Sequence, residues 1–144
     1  MRFMVATELL MEHLLGRSAS IVYPLPDLAV SAVTLEWIQA DVELDQDLQP
    51  SERSKWRTNL TNFRKTLVQS GGEVPALSEN ALERWGKAML LDLTHDYGLG
   101  PQEMPSEERL VVASASELGL IYLTSPRDWN YALENEFGLA VEVI

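Results

Sequence analysis

With 144 residues, 46% of them hydrophobic and 23% charged, the chain holds enough apolar material for one ordinary core and too much for a disordered acidic tail. Eleven Lys and Arg stand against 22 Asp and Glu, a formal net charge of −11, so overall charge cannot drive binding to nucleic acid. The lack of cysteine excludes disulfides, thiolate zinc sites and a cysteine nucleophile.

Phe3 to Val5 reads as a short strand entering a helix, with Thr7 as N-cap, Glu8 in the first turn and Gly16 as the stop. Glu8, Glu12 and His13 interrupt what would otherwise be an apolar leader, and no run reaches the ~18 apolar residues of a membrane span. The expectation is a cytoplasmic protein that does not enter membranes, built as one domain over residues 1–144 without internal repeats. Ile21 to Pro26 holds two prolines and reads as loop or extended chain. Leu35, Ile38 and Val42 share one face of a second helix that starts near Ser31 or Thr34. Pro50-Ser51 opens a third, whose Trp56, Leu60, Phe63 and Leu67 form an amphipathic stripe closed by Gly71-Gly72.

Val74 to Leu77 is a strand candidate. Ser78 caps a long helix in which Leu82, Trp85, Met89 and Leu93 are the expected buried stripe, ended by Gly98 and followed by a loop to Pro105. Pro105-Ser106-Glu107-Glu108 is a helix start, and Gly119 sits where a C′ glycine belongs. Leu120 to Leu123 is a buried strand, Arg127 to Glu136 a helix and Leu139 to Ile144 a terminal strand. Short apolar strands separated by helices predict an α/β fold with a mainly parallel sheet.

The segment Glu108-Arg-Leu-Val-Val-Ala-Ser-Ala-Ser-Glu-Leu-Gly-Leu-Ile-Tyr-Leu-Thr-Ser-Pro-Arg-Asp-Trp129 resembles a characteristic stretch of PIN domains: an acid, an Ala-rich apolar helix, Gly-Leu, a strand, then Arg-Asp-aromatic. Val33-Thr34-Leu35-Glu36 is similar to the family's second helix start, and Met1 to Leu10 to its opening strand and turn. Over nearly its whole length the chain is similar to single-domain toxins of the VapC type. That resemblance implies a three-layer sandwich with a mainly parallel central sheet flanked by helices. It also implies a homodimer, an antitoxin protein as partner, and RNA cleavage assisted by Mg²⁺ or Mn²⁺ held by carboxylates at the strand ends. Hard cations of this kind take oxygen ligands, and a bound metal can activate water and stabilise charge on phosphate.

Matched residue by residue, the family's first acid falls on Ala6, with Glu8 two residues on. The second falls on Trp37, with Glu36 one residue earlier, and one residue turns a side chain by about 100° around a helix. The third falls on Glu108, where the family has Asp, and Asp128 matches either the family's last acid or the more peripheral acid of its Arg-Asp-aromatic segment. The resemblance therefore implies Glu8, Glu36, Glu108 and Asp128 as catalytic candidates, with Glu108 and Asp128 as metal ligands, on a site that has lost acids at Ala6 and Trp37. Trp37 in that place reads either as a space-filler of the emptied cleft, the favoured role for a large aromatic, or as a contact exposed for a partner.

The helix from Ser51 to Gln69 carries Arg53, Lys55, Arg57, Arg64 and Lys65 against Glu52 alone, a local net of +4. This reads either as a solvated face or as a contact surface for RNA or an acidic partner, because such contacts need local positive charge. His13 and His95 lie far apart and read as separate histidines, and no phosphate-binding glycine motif is present. Two functions follow: a metal-dependent endoribonuclease, or a PIN-fold module that binds a protein partner or RNA and cuts nothing.

Overall fold

Phe3–Val5 (β1) is buried at all three positions, as befits the inside of a parallel sheet covered on both faces. The computed structural model describes residues 2–16 and 21–144; Met1, which opens the first motif, lies outside them. After β1 come helix α1 (Thr7–Leu14), a single 3₁₀ turn at Leu25–Asp27, strand β2 (Leu28–Ala29) and helices α2 (Ala32–Leu44), α3 (Pro50–Gln69) and α4 (Glu79–Met89). Strands β3 (Thr94–Asp96) and β4 (Pro101–Glu103) precede α5 (Ser106–Leu118), β5 (Ile121–Thr124), α6 (Asn130–Asn135) and β6 (Val141–Val143).

The sheet runs β2-β1-β5-β6 with every pair parallel and helices flanking it. Met4 pairs with Ala29 on one side and Tyr122 on the other. From β1 the chain moves outward to β2, and from β5 it moves outward to β6 in the opposite direction. The crevice at the C-terminal ends of β1 and β5 is therefore a topological switch point, where side chains of successive loops converge. No helix of the described residues is long and apolar enough to cross a membrane.

Several boundaries differ from the sequence reading. The N-cap of α1 is Ala6 rather than Thr7, so this helix begins without a side-chain cap of its own. Ser31 does cap α2, its hydroxyl accepting from the Val33 N–H. Val74 to Leu77 is not a strand, although Glu73 bridges to Ala29 and Pro75 accepts from the Ala32 N–H along the edge of β2. The largest differences lie around α4. Its buried positions are Ala81 and Ala88, which face α5, while Leu82 and Met89 are exposed. It ends at Met89, and the stretch read as helix and loop instead forms the antiparallel hairpin β3–β4, with Gly98 and Gly100 at positive φ in its turn.

Candidate functional site

At the switch point, Glu108 is 6% exposed in the first turn of α5. Its Oε1 accepts the Thr7 N–H at 3.3 Å and the Tyr122 hydroxyl at 2.5 Å, while Oε2 is buried without a hydrogen-bond partner. Thr7 is the first residue of α1, so its N–H is one of the four that a helix leaves unpaired. Glu108 thus caps α1 from across the fold, in the place where the alanine N-cap supplies nothing. The Thr7 hydroxyl meets that of Thr34 at 3.0 Å, fastening the starts of α1 and α2 to each other.

Burial pushes the Glu108 carboxyl above its ordinary value, outweighing the hydrogen bonds from Thr7 and Tyr122, and the charge of Glu8 adds to the rise. Burial and the neighbouring Glu108 hold the Tyr122 phenol well above its usual range. Glu108 is therefore a buried acid biased toward its neutral form.

Glu8 reaches the same cleft and is gripped by Arg127, whose Nη2 and Nε lie 2.6 and 3.0 Å from Oε2. Tyr97 of the hairpin turn donates its hydroxyl to Glu8 Oε1 at 3.3 Å, and the Arg127 guanidinium sits 5.2 Å from the Tyr97 ring centre. Asp128 faces the hairpin instead: its Oδ2 accepts the Asp96 N–H at 3.1 Å. Nδ1 of His95 is 3.0 Å from both that Oδ2 and the Asp128 backbone nitrogen. One nitrogen lone pair or one N–H cannot serve both contacts at once, so Nδ1 either accepts from the backbone N–H or donates to the carboxylate. Glu36 is exposed on α2, on a shallow apolar patch that it shares with Val33, Trp37 and Leu77.

Glu8 and Glu108 thus line one cleft, while Asp128 and Glu36 take other surroundings. Ala6, Trp37, Tyr122 and Trp129 narrow that cleft to a volume of about 30 Å³. Among the described residues no three Asp, Glu, His or Cys side chains gather closely enough to hold a metal ion. Mg²⁺ demands octahedral oxygen coordination and keeps several waters. A carboxyl occupied in capping α1 and an arginine-bound glutamate, with no third acid beside them among the described residues, do not fit an Mg²⁺ or Mn²⁺ ion.

The five cations of α3 divide by role. Arg53 donates to the carbonyls of Val42 and Asp45 at the end of α2, where a helix exposes unpaired carbonyls and favours positive charge. Arg57 forms a two-pronged pair with Glu43, which lowers that carboxyl. Lys55 is exposed. Arg64 and Lys65 rim a groove of about 460 Å³ between α2 and α3, floored by apolar side chains that include Val42, Trp56, Leu60 and Val68.

Sequence reasoning missed Arg127, Tyr122 and the hairpin. Arg127 had a signal, because it stands beside Asp128 in the quoted motif. Tyr122 was hidden within an apolar strand. His13 packs edge-on against Phe63, its centre 6.0 Å away, far from His95 in role as in sequence.

No family model and no curated protein matches the sequence. Solved structures do match in fold. FitAcB from Neisseria gonorrhoeae shares 16% identity, with 96% of this chain and 95% of that chain covered and a TM-score of 0.67. VapBC2 from Rickettsia felis, bound to a DNA fragment from its promoter, gives 15% identity, 99% and 98% coverage and 0.65. VapBC-5 from Mycobacterium tuberculosis, a toxin–antitoxin member, gives 19% identity, 81% and 80% coverage and 0.55. The chain has a VapC-like PIN fold, α/β with a parallel four-stranded sheet.

Proposed function

We propose that this chain is a PIN-fold binding module, the toxin-like half of a toxin–antitoxin pair, that engages a protein partner without cutting RNA. One observation carries the reading: Glu108, the acid that best matches the family's pattern, is buried and used to cap α1. The lost acids at Ala6 and Trp37 and the grip of Arg127 on Glu8 support it. The partner surface is the α2–α3 groove, whose apolar floor and Arg64/Lys65 rim suit an amphipathic helix with an acidic flank. That the structural neighbours are toxin–antitoxin assemblies makes an antitoxin-like protein the natural candidate.

The test has two arms. Thermal unfolding with and without millimolar Mg²⁺ or Mn²⁺ is expected to give the same Tm, and generic RNA is expected to stay intact. Metal-dependent cleavage abolished by Glu108→Ala would instead establish the nuclease. Co-expression with the protein encoded beside it should yield a complex that Arg64→Glu with Lys65→Glu weakens; a complex indifferent to both changes removes the groove from the proposal, and binding of RNA alone would replace the protein partner by RNA.

A further inference from the structure

The β3–β4 hairpin pairs with neither edge of the main sheet, and its two ends are held in different ways. Its base is fixed. Leu93 and Met104 are buried in the core, and the Met104 N–H donates to the Leu93 carbonyl at 2.7 Å. The buried Arg109 side chain adds hydrogen bonds to the carbonyls of Leu91 and Met104. Beyond that base, Asp96 and all of β4 are exposed. The turn packs on nothing: a Cβ at Gly98 or Gly100 would meet no atom within 4 Å, and Leu99 between them is 91% exposed. A two-stranded hairpin is marginal in water by itself, so its far end depends on what it touches.

That far end rests on two different walls of the cleft, of which Glu8 and Trp129 are part. On the α1 wall, Tyr97 donates its hydroxyl to Glu8 at 3.3 Å. On the wall after β5, Asp128 accepts the Asp96 N–H at 3.1 Å and meets Nδ1 of His95 at 3.0 Å. There the rings of His95 and Tyr97 also stand edge-on to Trp129, their centres 5.9 and 6.2 Å away. The polar fastenings are weak, because Glu8 and Asp128 are open to water, which can replace each contact. Trp129 lies beneath them, 5% exposed, and its indole nitrogen is buried with no hydrogen-bond partner among the described residues. Cover alone keeps that N–H from water.

We infer that the β3–β4 hairpin is a releasable strap across the cleft. Hinged at its Leu93–Met104 base, it lifts from Glu8 and Asp128 as a unit and lets water and small solutes reach Trp129 and Glu8 while the sheet stays folded. Openings of this kind arise where buried contacts are few and hydrogen bonds are exposed, and they need less free energy than global unfolding. The strap controls entry whether the cleft cuts RNA or cuts nothing.

Hydrogen exchange followed by NMR on the full chain tests it. The probe is the Trp129 indole N–H; the references are the Ala6 and Tyr122 amides, bonded to the Leu123 and Ala140 carbonyls within the sheet. Protection of Trp129 is expected to lie about tenfold or more below that of the two amides and to ignore low denaturant, since lifting the strap exposes little surface. Asp128→Ala should speed Trp129 exchange about fivefold, the weight of one net hydrogen bond. Tyr97→Phe, which acts on the opposite wall, should speed it as well. The indole N–H bonds to neither substituted group, so a rise there reports the strap lifting. Gly72→Ala, where a Cβ would overlap Leu67, strains the open and closed forms alike; it should lower protection of the sheet amides and leave Trp129 unchanged. Trp129 protected as deeply as Ala6 and Tyr122, an exchange rate indifferent to Asp128→Ala or to Tyr97→Phe, or one that follows Gly72→Ala, overturns the strap.

Discussion

Arg127 brings Nη2 and Nε to a single oxygen of Glu8, at 2.6 and 3.0 Å, and leaves the other oxygen to the Tyr97 hydroxyl. A side-chain cation from the loop after β5 thus neutralises the acid at the start of α1. The same contact ties the β3–β4 hairpin to the end of the sheet, because Tyr97 packs with His95 and Trp129 in one aromatic cluster.

Arg127→Met is expected to lower stability by about 1 kcal/mol, a modest value because Glu8 is half exposed and water screens the pair. The hairpin should loosen with it. Denaturant unfolding measures the first effect, and limited proteolysis at residues 97–100 measures the second; unchanged cleavage there would mean that the aromatic cluster alone holds the hairpin.

Glu108 makes stability depend on pH in a definite direction. Its folded-state value lies above the unfolded one, so below the ordinary glutamate range both states are protonated and the full stability is present. As pH rises from there through the folded value, the unfolded state ionises first and stability is lost. Glu108→Gln removes this loss, so the Tm of the variant relative to wild type should climb as pH goes from about 4 to neutrality. A constant difference across that range would show that the Glu108 carboxyl titrates alike in the folded and unfolded chains.

Tyr122→Phe deletes the 2.5 Å hydrogen bond and leaves Glu108 Oε1 with only the longer contact to Thr7. The expected cost is about 1–3 kcal/mol, the range for a buried polar atom deprived of its partner. Equilibrium denaturation checks it.

Two glycines should respond to alanine with opposite signs. A Cβ at Gly72 would overlap the Leu67 side chain and lie 2.8 Å from the Leu25 carbonyl oxygen, and Leu67 is fully buried. Gly72→Ala should therefore cost about 1–3 kcal/mol through overpacking. Gly86→Ala, in open space, should stabilise the fold by about 0.5–1 kcal/mol. Tm measurements separate the two.

The long periodic elements were legible because one physical rule decided each. The stripe Leu60 to Leu67, the Ser31 and Ser78 caps and the Gly119 stop are found where the sequence puts them, Gly119 at a φ of 67°. In α4 the same rule misled. Its bulky apolar residues suggested the buried face, but the close approach to α5 is made by Ala81 and Ala88, whose small side chains a hydrophobicity pattern underrates. Strands β2, β3 and β4 are two or three residues long, too short for any periodicity, and β4 begins with a proline. At the cleft, Ala6, Trp37 and Glu108 were readable as departures from a pattern. The grip of Arg127 on Glu8 and that of Tyr122 on Glu108 depend on chain segments brought together only by the fold.

Phe3 pairs with Leu28 on one side and with Ile121 on the other. During synthesis β1 leaves the ribosome early, yet one of its edges waits for a strand made more than a hundred residues later. Until then an apolar ribbon of Phe-Met-Val stands half-zipped, with its open backbone available to any passing strand. Folding governed by so distant a pairing is slow, and a nascent chain stalled before Ile121 would be a sticky fragment. The order of the strands thus leaves one edge of β1 open until β5, far along the chain, arrives to cover it.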